Sequence, residues 1–309
     1  MTLALPLGLA SHDAALFAER LESLRGALPN LPDKPQETAE ATLKALWQLA
    51  CGHALSAEAA QECAALAALD PSAQARLDAL IAARLAGTPL AHLTGRQRFM
   101  GLEMLAGPAA LIPRRETQIL GEAALELLRA RPHGAPAARV IDVCTGSGNL
   151  ALAVAHHEPQ ARVHASDLSE TAVQLAHSNA EHLGLASRVD LRVGDLLEPF
   201  EQPEFHGCVD LLLCNPPYIS SAKVGTMHRE IADFEPRLAF DGGPLGVAIL
   251  RRLIREAPRF LAPHGWLAFE VGEGQGPAVL GRLEAGGQFG QRRCVHDGRG
   301  EIRAILAAR

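Results

Sequence analysis

The sequence predicts an α/β protein, a mostly parallel sheet with helices on both faces, preceded by a small helical bundle. Three observations predict it. From about residue 132 onward, short apolar runs alternate with helical segments, the pattern of a parallel sheet with crossover helices. Residues 1 to about 98 are rich in Ala and Leu and poor in β-branched residues, which suits packed helices. Small-residue turns and acids recur where the apolar runs stop, at the strand ends where open sheets hold ligands. A length of 309 residues suggests about two domains. The expected division is a helical domain over 1–98, which composition alone reads as a substrate-facing or capping module, a hairpin and linker helix over 99–131, and the sheet domain over 132–309.

Taken in order, the first region holds four expected helices, Asp13–Leu28, Gln36–Cys51, Ala57–Leu69 and Pro71–Leu85. Pro29, Pro32 and Pro35 break the chain between the first two. Asp70 is placed to cap the fourth, with Pro71 at its first position. Arg96 to Leu105 reads as a short hairpin, and Leu111-Ile-Pro-Arg-Arg-Glu-Thr leads into a helix from about Glu116 to Ala130. Strands follow at Val140–Val143, Arg162–Ser166, Val189–Val193 and Asp210–Cys214. Between them lie the helix Leu150–His157 and one that Ser169 caps and Gly184 ends. A helix near 246–261, a strand over Gly265–Val271, a helix over Gly276–Ala285 and strands near Arg292–His296 and Ile302–Leu306 complete the chain.

Composition excludes several functions. The formal charge is −6, so no global basic surface advertises nucleic acid or membrane. No apolar run is long enough to span a bilayer, and the N-terminus lacks the basic region of a signal peptide. Six cysteines stand without any C-x-x-C pair, which argues for reduced thiols in the cytoplasm and against a zinc site or a disulfide frame. A monomer is expected. His53 and His92 read as isolated histidines, and Arg229, Arg237, Arg251 and Arg252 as solvated helix face.

The most informative stretch is Leu211-Leu-Leu-Cys-Asn215-Pro216-Pro217-Tyr218. A buried strand runs into two prolines, which lack the N–H a sheet ladder needs, so the strand stops and Asn215 projects from its C-terminal end. The Asn215 side chain and the Pro216 carbonyl offer two fixed acceptors for both hydrogens of a planar –NH2 group. Holding those N–H bonds localises the nitrogen lone pair and aims it at an electrophile. Tyr218, the only tyrosine in the chain, could pack its ring on the flat acceptor group.

A second constellation accompanies it. Asp142-x-Cys144-x-Gly146-x-Gly148 lies between a strand and a helix, where glycines let backbone approach a ligand. Asp167 ends the next strand, about 25 positions after Asp142, near the spacing at which an acid meets ribose hydroxyls. Asp195 ends the third strand, where an adenine amine could be held. The full dinucleotide fingerprint is not met, because Cys144 occupies its first glycine. Three acids on one rim suit a cationic sulfonium better than a diphosphate.

With these pieces in place, residues from about Leu85 to Arg309 resemble the glutamine-amide methyltransferases of the HemK/PrmC type, which act on translation release factors. The resemblance rests on Gly87-Thr-Pro-Leu, Leu111-Ile-Pro-Arg-x-Glu-Thr, Asp142-x-Cys-Thr-Gly-Ser-Gly, Asp167, Asp195, Asn215-Pro-Pro-Tyr-Ile, Glu235-Pro-Arg-Leu-Ala, Glu270-Val-Gly-x-x-Gln-Gly and Asp297-x-x-Gly-x-x-Arg303. It implies a seven-stranded, Rossmann-like class I methyltransferase domain, S-adenosyl-L-methionine as cofactor, and a helical N-terminal domain that helps bind a protein substrate. It also implies roles. Asp142, Thr145, Gly146, Ser147 and Gly148 would line the methionine side of the cofactor. Asp167 with Leu168 would meet the ribose, Asp195 with Leu196 would neighbour the adenine, and Asn215 would sit between cofactor and substrate. Asn215 and Pro216 would hold the glutamine amide, with Pro217, Tyr218, Arg114 and Glu116 around it. The implied target is the GGQ glutamine of a peptide chain release factor.

Cys144, Arg115, Gln118, Leu245-Gly246 and His92 depart from the family pattern and bear on substrate more than on chemistry. Two alternatives keep the same reaction, on a ribosomal-protein glutamine or on the amine of adenine or cytosine in nucleic acid. A third is a non-enzymatic module that keeps a degenerate cofactor fold.

Overall fold

The computed structural model describes residues 11–28, 33–225 and 229–309. The N-terminal decapeptide, Pro29 and Pro32 lie outside the described residues. Helices α1 (Ser11–Ala27), α2 (Ala39–Ala50), α3 (Ala57–Glu62), α4 (Pro71–Leu85) and α5 (Leu90–Thr94) come first. Their apolar faces meet around Trp47, Leu43, Leu46, Leu24 and Leu77, all fully buried. Asp70 accepts the Ala73 N–H at 2.6 Å, with Pro71 at the first helical position, as its residue type predicts.

The expected helix Ala57–Leu69 stops at Glu62. Trp47 Nε1 donates to the Ala67 carbonyl at 2.8 Å and Gln48 Nε2 to the Ala65 carbonyl at 3.4 Å. Side chains of α2 thus take carbonyls that a continued helix would turn inward on itself, and tertiary contact overrides local propensity. The short helix α5 was not expected; it follows Pro89 and ends on left-handed Gly95.

Strands β1 (Arg96–Phe99) and β2 (Leu102–Leu105) pair antiparallel across Met100 and Gly101, both at positive φ. That is the conformation a two-residue hairpin turn demands. Helix α6 (Gln118–Arg129) then leads to β3 (Arg139–Val143), α7 (Asn149–His157), β4 (Arg162–Asp167), α8 (Glu170–His182), β5 (Val189–Val193) and β6 (Val209–Cys214). After β6 come two short helices, α9 (Ser221–Val224) and α10 (Arg229–Phe234), neither expected from sequence. The chain closes with α11 (Ala248–Phe260), β7 (Leu261–Glu270), α12 (Gly276–Gly286), β8 (Gln291–His296) and β9 (Ile302–Ala308).

Seven strands form one sheet in the order β5-β4-β3-β6-β7-β9-β8. The first five are parallel, and β9 runs antiparallel to both neighbours. Two apolar clusters cover its faces, one around Val140, Leu152 and Leu211, the other around Ile141, Leu212 and Phe269. Alternate residues of one strand enter opposite clusters, as the two-residue period of a strand requires. Strand order reverses between β3 and β6, and a cleft opens over the C-terminal ends of the strands at that reversal.

Candidate active site

The cleft holds about 1010 Å³ counted to its open mouth, and both predicted constellations reach it. Thr145, Gly146, Ser147, Asp167, Leu168, Asp195, Leu196, Asn215, Pro217 and Arg114 are among its walls. Asp142, Gly148, Pro216, Tyr218 and Glu116 are not.

On one side the β3–α7 turn is wired to β4. Asp167 Oδ2 accepts the Gly146 N–H at 2.8 Å, and Oδ1 accepts the Ser169 N–H at 2.9 Å. Cys144, at φ 57°, adopts the left-handed conformation that makes glycine usual at this position. Gly148 serves packing: a Cβ there would lie 3.1 Å from both Ala176 and Leu152 side-chain atoms. Asp142 is not on the rim. It is fully buried beneath the turn, where Thr145 Oγ1 donates to its Oδ2 at 2.6 Å. Its Oδ1 is buried without a hydrogen-bond partner, and burial pushes the carboxyl up to about 7. Asp167 is likewise raised by burial, against the backbone N–H groups of Ser169, Gly146 and Leu168 that favour its anion.

Asp195 brings a second correction. Arg252, read from sequence as solvated helix face, reaches it at 2.9 Å. One of the three expected anions is therefore already paired, which leaves Asp167 as the acid of the cleft wall without an ion pair among the described residues.

The other side is built around Asn215. Its Nδ2 donates to Thr117 Oγ1 at 3.1 Å. Tyr218 turns its hydroxyl to Glu270 Oε1 at 3.0 Å, and burial, with Glu270 beside it, drives the phenol upward. Glu270 itself is buried and pushed up to about 7, mainly by desolvation, although the Thr117 and Tyr218 hydroxyls favour its anion. Gln275 Nε2 donates to the Tyr218 carbonyl at 2.9 Å, and its Oε1 accepts the Gly272 N–H at 3.0 Å. Glycines are required here: a Cβ on Gly246 would stand 2.1 Å from the Tyr218 carbonyl oxygen, and one on Gly242 would stand 2.4 Å from that of Pro217. The segments Glu270-Val-Gly-x-x-Gln and Gly242–Gly246 thus clamp the loop that follows β6.

Arg114 and Glu116 are engaged within the protein. Arg114 is buried between Glu235 at 2.5 Å and Asp33 at 3.2 Å, and it donates to the Ile112 carbonyl at 3.1 Å. Glu116 meets Arg303 at 3.1 Å. Nearby, Lys34 and Arg84 grip the two oxygens of Glu230 at 2.7 and 2.9 Å, and Arg84 also reaches Glu37 at 3.3 Å. All four of these side chains are almost wholly buried. The helical region is therefore locked by charge to the segment just past Asn215-Pro-Pro-Tyr. Thr117, Glu270, Gln275 and Arg252 received no individual role from the sequence; the first three lie inside motifs already noted. Among the described residues no cluster of His, Cys, Asp or Glu could hold a metal ion. No helix among them is long and apolar enough to cross a membrane.

Comparison with known proteins decides the family. Residues 121–247 match the model of the methyltransferase small domain. The release factor glutamine methyltransferase of Moorella thermoacetica is 42% identical over 224 residues, 72% of this chain and 76% of that protein. The chain belongs to the release factor glutamine methyltransferase family. The corresponding protein of Gloeobacter violaceus is 39% identical over 71% of this chain and 73% of its own length. Among solved structures, the human methyltransferase 10 domain containing protein superposes with a TM-score of 0.52 at 18% identity, over 78% of this chain and 98% of that one, which speaks to fold. The family's seven-stranded methyltransferase sheet is the one observed here.

Proposed function

We propose that this protein transfers a methyl group from S-adenosylmethionine to the side-chain amide nitrogen of the GGQ glutamine of peptide chain release factors, in the cytoplasm. Family membership supports the reaction class. The observation that carries the site assignment is that Asn215, anchored through its amide nitrogen to Thr117, shares one cleft with Asp167 and the Gly146 turn.

When bound, S-adenosylmethionine supplies the electrophilic methyl group. The residues that fit it are on the cofactor side: Asp167 keeps lone pairs beyond its two backbone contacts, Leu168 is exposed at the rim, and buried Asp142 has an unpartnered oxygen. That buried anionic capacity suits a cation. On the acceptor side, the Asn215 oxygen and the Pro216 carbonyl would take the two hydrogens of the glutamine –NH2 and stabilise the charge that develops on nitrogen. The glutamine nitrogen, its lone pair aimed by Asn215 and Pro216, would take the methyl group that S-adenosylmethionine would supply, leaving a neutral thioether, and would lose its surplus proton to water. Pro217 walls this end of the cleft. Tyr218 would act through its clamp on Glu270. The buried ion pairs of Arg114, Lys34 and Arg84 would fix the helical region as one side of the substrate path.

Purified protein, S-adenosylmethionine and release factor should give one added methyl group on the GGQ peptide by mass spectrometry. Ribosomal proteins and bare nucleic acid should remain unmodified in the same assay. Methylation of either in place of release factor would overturn the proposal.

A further inference from the structure

We infer that Thr117 is the positioning residue that sets which way the Asn215 amide faces, leaving the Asn215 oxygen for the substrate. The inference rests on the reaction proposed above and adds a residue to it. An asparagine amide presents oxygen or nitrogen depending only on its partners, and the two ends are nearly the same shape. A flipped Asn215 would point N–H groups at the glutamine –NH2, and donor would face donor. Something must forbid that flip.

The structure supplies it through 52 positions of chain between Tyr218 and Glu270, and 98 between Thr117 and Asn215. Thr117 is 1% exposed, so water cannot take over its hydroxyl. A threonine hydroxyl donates one hydrogen and accepts through two lone pairs. Glu270, also 1% exposed, stands beside it. The Glu270 oxygen that Tyr218 does not take, Oε2, is buried without a hydrogen-bond partner. The Thr117 hydroxyl is a nearby donor that favours the Glu270 anion. The open carboxylate oxygen is where the Thr117 hydrogen would go, and Thr117 could then only accept from Asn215. The 3.1 Å contact then accepts Nδ2–H and rejects Oδ1. Glu270 and Tyr218 therefore polarise Thr117, and Thr117 orients Asn215. Thr117 touches no reacting atom in this scheme.

Three variants test it. Thr117→Val keeps the shape and removes the hydroxyl; Thr117→Ser keeps the hydroxyl; Asn215→Ala removes the oriented group. Thr117→Val should lose about tenfold or more in kcat, with S-adenosylmethionine affinity within about twofold of the parent. Thr117→Ser should recover to within about threefold of the parent. A structural role alone would move cofactor binding and thermal stability together with kcat. A second readout does not depend on the reaction: the Asn215 side-chain NH2 of 15N-labelled protein should show slow hydrogen exchange in the parent and in Thr117→Ser. The same signals should exchange faster in Thr117→Val. Parent-like turnover in Thr117→Val, or Thr117→Ser as slow as Thr117→Val, overturns the inference. So does equal NH2 exchange in all three proteins that retain Asn215. If the parent methylates no release factor while the exchange pattern appears as expected, the proposed reaction fails and the orienting role of Thr117 stands.

Discussion

The two walls of the cleft are made in different ways. The wall proposed to hold the cofactor is local: one strand-to-helix turn is tied by backbone N–H groups to the acid ending the next strand, and Asp142, Gly146 and Asp167 lie within about 25 positions of one another. The acceptor wall is assembled from afar. Thr117, Asn215, Tyr218, Glu270 and Gln275 come from the start of α6, the segment just past β6, the end of β7 and the start of α12, and side chains do the tying. A wall that binds a cofactor can use generic backbone donors. A wall that must hold one amide in one orientation needs each hydroxyl and amide assigned a direction, which only a buried network provides. The cofactor wall should therefore govern affinity and the acceptor wall should govern turnover.

The largest effect that could break this contrast comes from Asn215→Ala. We expect kcat to fall by about 10²-fold or more while cofactor affinity, by isothermal titration, stays within about twofold. A loss shared equally between the two would mean that Asn215 serves both walls. Asp167→Asn is the converse. It keeps one oxygen for the turn and loses the charge, and hydrogen bonds to a charged group contribute about 1.5–3 kcal/mol. Cofactor Kd should rise about thirtyfold, with turnover at saturating cofactor little changed. A collapse of turnover at saturation would place Asp167 on the reaction path.

The contrast also explains how much was legible in the residues themselves. The order of sheet and helix could be read from periodicity, and β5 was read to its ends because Val189–Val193 carries the alternating burial of a half-exposed strand. That the turn, its glycines and Asp167 would meet in one cleft wall was legible too, since they are close in sequence. The errors there were about direction: Asp142 points under the turn, and Arg252 already neutralises Asp195. The acceptor wall was legible only at Asn215-Pro-Pro-Tyr, where two prolines must end a strand. The Thr117–Asn215 contact joins residues 98 apart, and no local pattern encodes such a pairing. Likewise the early end of α3 depends on Trp47 and Gln48 of another helix. Substrate-facing roles for Arg114 and Glu116 were inferred from their motif, while the structure ties their charges to Glu235, Asp33 and Arg303.

A smaller effect sharpens the same comparison through protons. Burial raises Asp142 to about 7 in the cofactor-free protein, and the Asp167 charge adds to the rise. Below that pH the carboxyl is neutral. A cation bound above the turn favours the anion, so its pKa falls on binding and a proton leaves. The sign follows: affinity for S-adenosylmethionine should be highest above pH 7 and decline as pH drops through 7. With the bound-state pKa well below 6, the loss between pH 8 and pH 6 is about tenfold. Calorimetry at pH 6.5 in two buffers of different ionisation enthalpy should report net proton release, and Asp142→Asn should abolish the buffer difference. Glu270 is raised to the same region but belongs to the acceptor wall, facing Tyr218, Thr117, Glu116 and Arg303. Its titration should therefore leave cofactor affinity untouched. A Glu270→Gln protein that lost the pH dependence of cofactor binding would show that the two walls are electrostatically one.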